Sequence, residues 1–276
     1  MRRDKVFADF SKHPLPKMEI YGGDKLETLL NLNEKLIKPK YSGTKFIFTT
    51  LDSLSAALHI RSIAELANED IAIVNFANRR QHGGVGDNAW FGSQEECLAR
   101  TSNMTHPENF KHIDEKFNKI RSLEGYEDSA DRPHHIPYFG TVLALDVIFI
   151  IDKYDAPNPQ NFAKFHTIWS AAVDNRDDKE EAFFLKENFG ANAEIARYQI
   201  MRHKLKAIFD SALAHKITNI VHGAFGGGCF NNDNHIVARI TQELLVNEYK
   251  DCFKSVTFAI TEQSKLDIYQ KVFNSN

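Results

Sequence analysis

The sequence predicts an α/β protein in which strands and helices alternate along the chain. A continuous apolar run at 70–78, DIAIVNFAN, is typical of a fully buried strand. A longer segment at 193–216 places its apolar residues on one helical stripe. Polar, glycine-bearing loops separate such runs. This alternation indicates an α/β sandwich.

The first half of the predicted domain reads strand, helix, strand, helix. KFIFTT at 45–50 is a short β-rich run, and Leu51-Asp52-Ser53 can cap a helix over 53–67. The buried strand at 70–78 leads into a polar loop, and helical character resumes with QEECLAR at 94–100.

The second half continues the alternation after a less informative stretch. Residues 103–135 carry scattered apolar positions among Asn, Lys, Asp and His, which predicts loops and a surface helix. The apolar run at 138–151 predicts a buried strand pair or one long central strand. The remaining elements are predicted as a helix at 193–216 with the stripe Ile195, Tyr198, Met201, Leu205, Ile208, Phe209 and Leu213, a strand at 218–227, a helix at 235–249 and a last strand at 255–260.

The first 43 residues differ from the rest. They contain Pro14, Pro16 and Gly22-Gly23, followed at 26–38 by leucines at helical spacing until Pro39. We therefore expect an N-terminal helical extension over 1–43 and one α/β domain over 44–276.

Composition argues against several broad functions. The 34 Lys and Arg residues against 37 Asp and Glu give a net charge of −3, so no positive field is available to hold a phosphate backbone. Direct nucleic-acid binding and membrane binding are not expected as main roles. The run at 138–151 is too short to span a bilayer and contains Asp146. Charges interrupt the N-terminus where a signal peptide would be apolar, so we expect an intracellular protein, cytoplasmic or nuclear.

Cysteine and histidine usage predicts neither a disulfide framework nor a metal site. Cys97, Cys229 and Cys252 cannot all pair within one chain and show no CxxC spacing, which fits a reducing compartment. The histidines lack HExxH or any other ligand spacing. We expect no cofactor.

Two glycine-bearing loops follow predicted strands. The first covers 75–85 and the second covers 223–233. Glycine lets a backbone approach a ligand closely and turn its N–H groups toward an anion, so both loops suit a phosphate or a sugar. Neither matches GxxxxGK[ST] or GxGxxG. A tight structural turn is the alternative interpretation of each loop.

Together the loops resemble those of the macrodomain-type poly(ADP-ribose) glycohydrolases. VNFANRRQHGGV followed by SQEECLAR is similar to that family's signature of a GGG triplet, six to eight residues and QEE. Here Gly83-Gly84-Val85 is followed by eight residues and Gln94-Glu95-Glu96. HGAFGGGCFNNDNHIVA is similar to the family's diphosphate-binding loop. The resemblance covers about 44–260 and implies a macrodomain-like three-layer sandwich with a mixed central sheet.

The resemblance also implies the chemistry. The ligand would be ADP-ribose or an ADP-ribosylated protein, cleaved at the glycosidic bond of the distal ribose. Glu96 would be the catalytic carboxyl and Glu95 would hold ribose hydroxyls, since cleavage at an anomeric carbon passes through an oxocarbenium-like state that needs carboxyl assistance. Adjacent residues point in different directions, so the two glutamates are not expected to act as a facing acid/base pair. Two glutamates that merely complement a helix dipole are the alternative.

Other candidate residues lie in these loops and at the end of the first strand. By the resemblance Phe230 would pack on the distal ribose, although it could also be an ordinary core ring. Asn75 and Asn78 could hydrogen-bond the ribose or could simply be turn residues at the end of a strand. Asp52 could accept from the adenine amino group or simply cap a helix. The remaining candidate ligand-binding residues are Gly83, Gly84, Val85, Gln94, Gly226, Gly227, Gly228 and Cys229.

Three positions depart from the family pattern. Val85 replaces the third glycine, His82 stands where proline is usual and Gly227 where cysteine is common. Asp87 adds a third candidate catalytic carboxylate, which could face an arginine guanidinium or could be a turn residue.

These departures leave several hypotheses open. Removal of single ADP-ribose units, on arginine for example, is nearly as well supported as digestion of the polymer. A non-catalytic ADP-ribose reader is the main alternative, because Val85 could misplace the distal ribose. A site for another nucleotide or nucleotide sugar is a third.

Overall fold

The computed structural model describes residues 13–25, 28, 37–79, 83, 92–123, 136–151, 161–176 and 190–275. They contain a seven-stranded mixed sheet with the order β1-β4-β5-β3-β6-β7-β2. Strands β5, β3, β6, β7 and β2 are parallel neighbours, whereas β4 runs antiparallel to both β5 and β1. The strands are β1 (Lys17–Gly23), β2 (Lys45–Thr49), β3 (Ile71–Phe76), β4 (Phe139–Ile150), β5 (Phe162–Ser170), β6 (Asn219–His222) and β7 (Ser255–Ala259).

Helices cover both faces of the sheet. Within the described residues they are α1 (Ser53–Ser62), α2 (Gln94–Arg100), α3 (Pro107–Leu123), α4 (Ala193–Ala214), α5 (Asn234–Glu243), which continues into a π-helical turn at Leu244–Glu248, and α6 (Gln263–Asn274). Alternate residues of β3 face opposite layers: Ala72 and Val74 pack with α4, α5 and α6, whereas Ile71 and Ile73 pack with α1, α2 and α3. The predicted three-layer sandwich with a mixed sheet is therefore confirmed.

The apolar runs form the central strands as predicted. Five of the six residues of β3 are buried. The run at 138–151 forms one long strand, and its charged member, Asp146, lies at a register shift with a φ of 60° and its side chain exposed. A bulge at this point turns the carboxylate to solvent without breaking the strand.

Several sequence expectations are corrected. Lys17–Gly23 is an edge strand paired with β4, so this part of the first 43 residues belongs to the sheet and not to a helical extension. Most of the leucine-rich segment at 26–38 lies outside the described residues. Ile195 is 63% exposed, so it does not share the buried stripe of α4. The helix predicted over 53–67 ends at Ser62.

Parallel pairing places the two predicted loops at one edge. Strands β3 and β6 are hydrogen-bonded in parallel, with Ile71 opposite Asn219 and Ile73 opposite Val221. Their carboxyl ends therefore meet at the same side of the sheet, which is where ligands bind in open α/β folds.

Candidate active site

Side-chain contacts join the two glycine loops. The ring of Phe76, at the end of β3, lies 5.8 Å from the ring of Phe225 in the second loop. A Cβ added to Gly223 would stand 2.9 Å from Phe76 Cζ and 2.8 Å from the Ala259 carbonyl oxygen. Because only glycine fits at 223, the loop after β6 can approach the end of β3.

A capping box sets the start of α2. Ser93 Oγ accepts from the Glu96 N–H at 3.3 Å, and the Ser93 N–H donates to Glu96 Oε2 at 3.3 Å. This reciprocal pair satisfies two backbone donors and fixes the Glu96 side chain. Ser93 was not predicted as part of the site, although the pattern Ser-x-x-Glu at 93–96 is a sequence signal for such a cap.

Gln94 links α2 to the neighbouring elements. Its Oε1 accepts from the Phe76 N–H at 2.9 Å, and its Nε2 donates to the Val74 carbonyl at 2.6 Å and to Ser53 Oγ at 3.0 Å. Three bonds to the protein engage the amide, so Gln94 supports the position of α2. Its predicted ligand contact stays a prediction.

Glu95 is buried beneath the first loop, with 3% of its surface exposed. Its Oε2 accepts from the Asn78 N–H at 2.7 Å, and its Oε1 accepts from the Gly83 N–H at 3.2 Å. Burial raises the pKa of Glu95 to about 8, since it outweighs the two N–H donors that lower it; the neighbouring Glu96 adds a smaller raising effect. Near neutral pH the carboxyl is therefore largely protonated.

Glu96 and Asn75 provide further buried polar atoms near Glu95. Glu96 is 3% exposed, and its Oε2 also lies 3.6 Å from Arg100 Nη2. Among the described residues, Glu96 Oε1 and both amide atoms of the fully buried Asn75 have no hydrogen-bond partner. The Asn75 amide nevertheless helps to lower the pKa of Glu95, which places it close to that carboxyl but outside hydrogen-bond geometry. Buried polar atoms without partners are rare and are expected where a ligand or water binds.

Asn232 holds the second loop in shape. Its Nδ2 lies within hydrogen-bond distance of three carbonyl oxygens, those of Val173 at 2.7 Å, Gly226 at 3.1 Å and Phe230 at 3.3 Å. Gly226 has a φ of +72°, and a Cβ there would lie 2.5 Å from the Ala172 Cβ. The role of Asn232 was not predicted from the sequence, because its shortest bond is to Val173, which lies 59 residues away in the chain.

The second loop presents unused backbone donors. Among the residues that the structure describes, no group accepts from the N–H of Gly228, Cys229 or Phe230. A Cβ on Gly228 would meet nothing within 4 Å, so this part of the loop opens on free space. Consecutive free N–H groups are suited to binding an anion. Of the predicted glycines Gly226, Gly227 and Gly228, only Gly228 belongs to this free run, since the Gly227 N–H donates to the Ala224 carbonyl at 3.0 Å. The diphosphate contact of these glycines stays a prediction.

Phe230 and Asp52 have protein contacts of their own. The half-buried Phe230 ring has the Arg176 guanidinium 5.5 Å from its centroid, and the Phe230 carbonyl accepts from the Asn175 N–H at 2.9 Å. Asp52 is the N-cap of α1, and its two oxygens accept from the N–H and Oγ of Ser55 at 2.8 and 2.7 Å. The capping interpretation of Asp52 is therefore confirmed, and its adenine contact stays a prediction.

Three of the predicted site residues, Gly84, Val85 and Asp87, lie outside the described residues, as does His82. The consequences predicted for Val85 and Asp87 therefore stay predictions.

Other features bear on cofactors and membranes. The described residues contain no group of three or more His, Cys, Asp or Glu side chains that could hold a metal ion. All three cysteines are described and free, with Cys97 and Cys229 exposed. No helix in the described part of the chain combines the length and apolar character needed to cross a membrane.

Comparison with known proteins gives a structural match only. No family model and no curated protein matches the sequence. A crystal structure of poly(ADP-ribose) glycohydrolase from Deinococcus radiodurans in complex with ADP-ribose is similar with a TM-score of 0.69 and 22% identity, over 100% of this chain and 99% of that one. The enzyme from Thermomonospora curvata gives 0.69 and 20% identity, over 98% of this chain and 89% of that one.

A second structure of the Thermomonospora curvata enzyme, bound to the inhibitor ADP-HPD, gives a TM-score of 0.67 and 19% identity, over 97% of this chain and 88% of that one. The match thus spans nearly the whole described architecture. The chain has the fold of the microbial poly(ADP-ribose) glycohydrolases.

Proposed function

We propose that this protein is a hydrolase that cleaves the glycosidic bond at the distal ribose of ADP-ribosylated substrates. The observation that carries the proposal is the meeting, at one sheet edge, of two buried glutamates and a loop with unused N–H groups. The N–H groups of the second loop suit the diphosphate. The distal ribose would then lie near Glu95, Glu96 and Asn75.

The carboxyls have separate tasks in this reaction. Glu96 is the catalytic carboxyl: it protonates the leaving atom as the bond to the anomeric carbon breaks, and it recovers a proton from the water that adds to that carbon. Its Oε1, which has no partner among the described residues, is the atom available for this transfer. Glu95 holds ribose hydroxyls. Being largely protonated near neutral pH, it can donate to one hydroxyl while it accepts from another.

A substrate panel tests the proposal. The protein is incubated with poly(ADP-ribose) and with proteins that carry single ADP-ribose units on arginine, serine or glutamate, and released ADP-ribose is measured. The Glu96→Gln variant should lose at least 100-fold in rate, within the usual range for general acid–base catalysis of roughly 10²–10⁴. Glutamine can keep the capping box with Ser93, so the fold is retained.

Glu108→Gln is the matched control, because Glu108 is an exposed acid in the first turn of α3. Its activity should equal that of the unmodified protein. Equal product from the Glu96→Gln variant would refute the assignment of Glu96. Tight ADP-ribose binding without turnover of any substrate would instead identify a reader.

A further inference from the structure

A buried carboxylate from the N-terminal strand lies next to the first loop. Asp24 follows β1 by one residue, and its side chain is 7% exposed. Its Oδ1 accepts from Arg79 Nη2 at 2.6 Å and from the Tyr138 N–H at 2.8 Å, and its Oδ2 lies 3.4 Å from Arg121 Nε. Asp24 thus joins three segments that are distant in sequence.

Arg79 is held from several sides. Besides Asp24, it donates through Nε to the Ile136 carbonyl at 3.1 Å, and its guanidinium lies 5.0 Å from the centroid of the Tyr138 ring. Lys204 Nζ fixes the same tyrosine, at 3.8 Å from the ring centroid and 2.8 Å from its carbonyl oxygen. The planar guanidinium donates hydrogen bonds from two of its edges and stacks one face on the tyrosine ring. An ammonium group cannot make this combination of contacts.

The position of Arg79 in the chain links this cluster to Glu95. Arg79 directly follows Asn78, whose N–H makes the 2.7 Å hydrogen bond to Glu95 Oε2. On the other side, the Ala77 N–H is fixed to the Ser170 carbonyl at 2.9 Å. The Asn78 amide is therefore held between a sheet contact before it and the Asp24–Arg79 ion pair after it.

We propose that Asp24 and Arg79 are positioning residues that hold the Asn78 N–H against Glu95. The inference rests on the proposed function for its effect on turnover, but the effect on Glu95 itself does not need a substrate. Breaking the pair frees the backbone after Asn78 and leaves a buried carboxylate with fewer partners.

Two variants separate geometry from charge. Arg79→Lys keeps the positive charge but loses the forked donor, and Asp24→Asn keeps the shape but loses the negative charge. Each should lower kcat by roughly 10- to 100-fold, the scale of a misplacement of about 1 Å in a catalytic group. ADP-ribose affinity, measured by calorimetry, should change less than kcat, because the loop after β6 is untouched.

The decisive readout is the titration of Glu95. Its side-chain carboxyl carbon is followed by NMR between pH 5 and 10 and assigned with Glu95→Gln. Loss of the donating Asn78 N–H should raise the midpoint in both variants, because this hydrogen bond lowers the pKa of Glu95 and the neighbouring Glu96 is unchanged. Lys164→Gln is the control, since it breaks an exposed ion pair with Asp146 and should leave kcat and midpoint unchanged.

The outcomes distinguish the two proposals. If both variants fold, as judged by circular dichroism, and the Glu95 midpoint equals that of the unmodified protein, the positioning role is refuted. If the unmodified protein turns over no substrate but the midpoint still rises in the variants, the proposed function fails and the positioning role stands. If one variant does not fold, the other decides, because the two act on opposite partners of the same pair.

Discussion

Replacing Glu95 with glutamine should change how the stability of the protein depends on pH. The folded protein raises the pKa of Glu95 to about 8, from a usual value of 4.5. Between these values the unfolded chain has lost the proton that the folded protein keeps. The folded state then binds more protons, so the free energy of unfolding falls as pH rises.

The expected size follows from the two values. The difference between about 8 and 4.5 corresponds, at about 1.36 kcal/mol for each pKa unit, to a loss of up to about 5 kcal/mol. This loss begins near pH 4.5 and is complete above pH 8. Glutamine does not titrate, so the Glu95→Gln variant lacks this contribution. It also loses an acceptor for one of the two N–H donors, a cost that does not vary with pH.

The assay is urea unfolding at intervals of one pH unit from 5 to 9, for both proteins. The stability advantage of the unmodified protein over Glu95→Gln should shrink by about 1.4 kcal/mol per pH unit up to pH 8 and then stay constant. Asp210→Asn is the control, because burial raises the pKa of Asp210 only to about 6. Its difference from the unmodified protein should therefore stop changing above that pH. A constant difference for Glu95→Gln across pH 5 to 8 would refute the argument that burial controls this carboxyl.

Three further outcomes are expected. Gly226→Ala should weaken ADP-ribose binding at least tenfold in calorimetry, because a side chain at a φ of +72° costs roughly 1–2 kcal/mol before any clash. Gly228→Ala should retain the affinity, because a Cβ at that position meets open space. Asn232→Asp should destabilise the protein in urea by roughly 1–3 kcal/mol, because it replaces a donor with an acceptor facing three carbonyl oxygens. Tyr249→Phe removes the 2.6 Å hydrogen bond to Asp210 and should lower the free energy of unfolding by roughly 1–3 kcal/mol, measured in urea at pH 8. An unchanged free energy of unfolding would contradict this hydrogen bond.

Local patterns predicted much of the fold. Strand β3 is a buried apolar run, and β6 and β7 follow the same logic, so periodicity alone places them. The loops after β3 and β6 could be paired because parallel strands share a carboxyl edge. The QEE run placed Glu95 and Glu96 at a helix start, which the capping box confirms.

Long-range partners could not be predicted in the same way. Strand β1 buries only part of its length at a sheet edge, and its sequence, KMEIYGG, lacks a clear alternation. Asn232 depends in part on the Val173 carbonyl, 59 residues away, and Asp24 on the distant guanidinium groups of Arg79 and Arg121. Strand β5 and helix α6 were likewise not predicted. The exposure of Ile195 follows from its place near the first turn of α4, where the helix begins outside the packed layer.

The position of β1 has a practical consequence for anyone who shortens this protein. A chain trimmed to begin at residue 44 would lose the strand that covers β4, together with the carboxylate that Arg79 pairs with. The backbone N–H and C=O groups of β4 would then be unpaired along a long new edge strand, and exposed edge strands promote aggregation. Poor solubility of such a fragment would reflect the loss of the edge strand β1 and not instability of the rest of the domain.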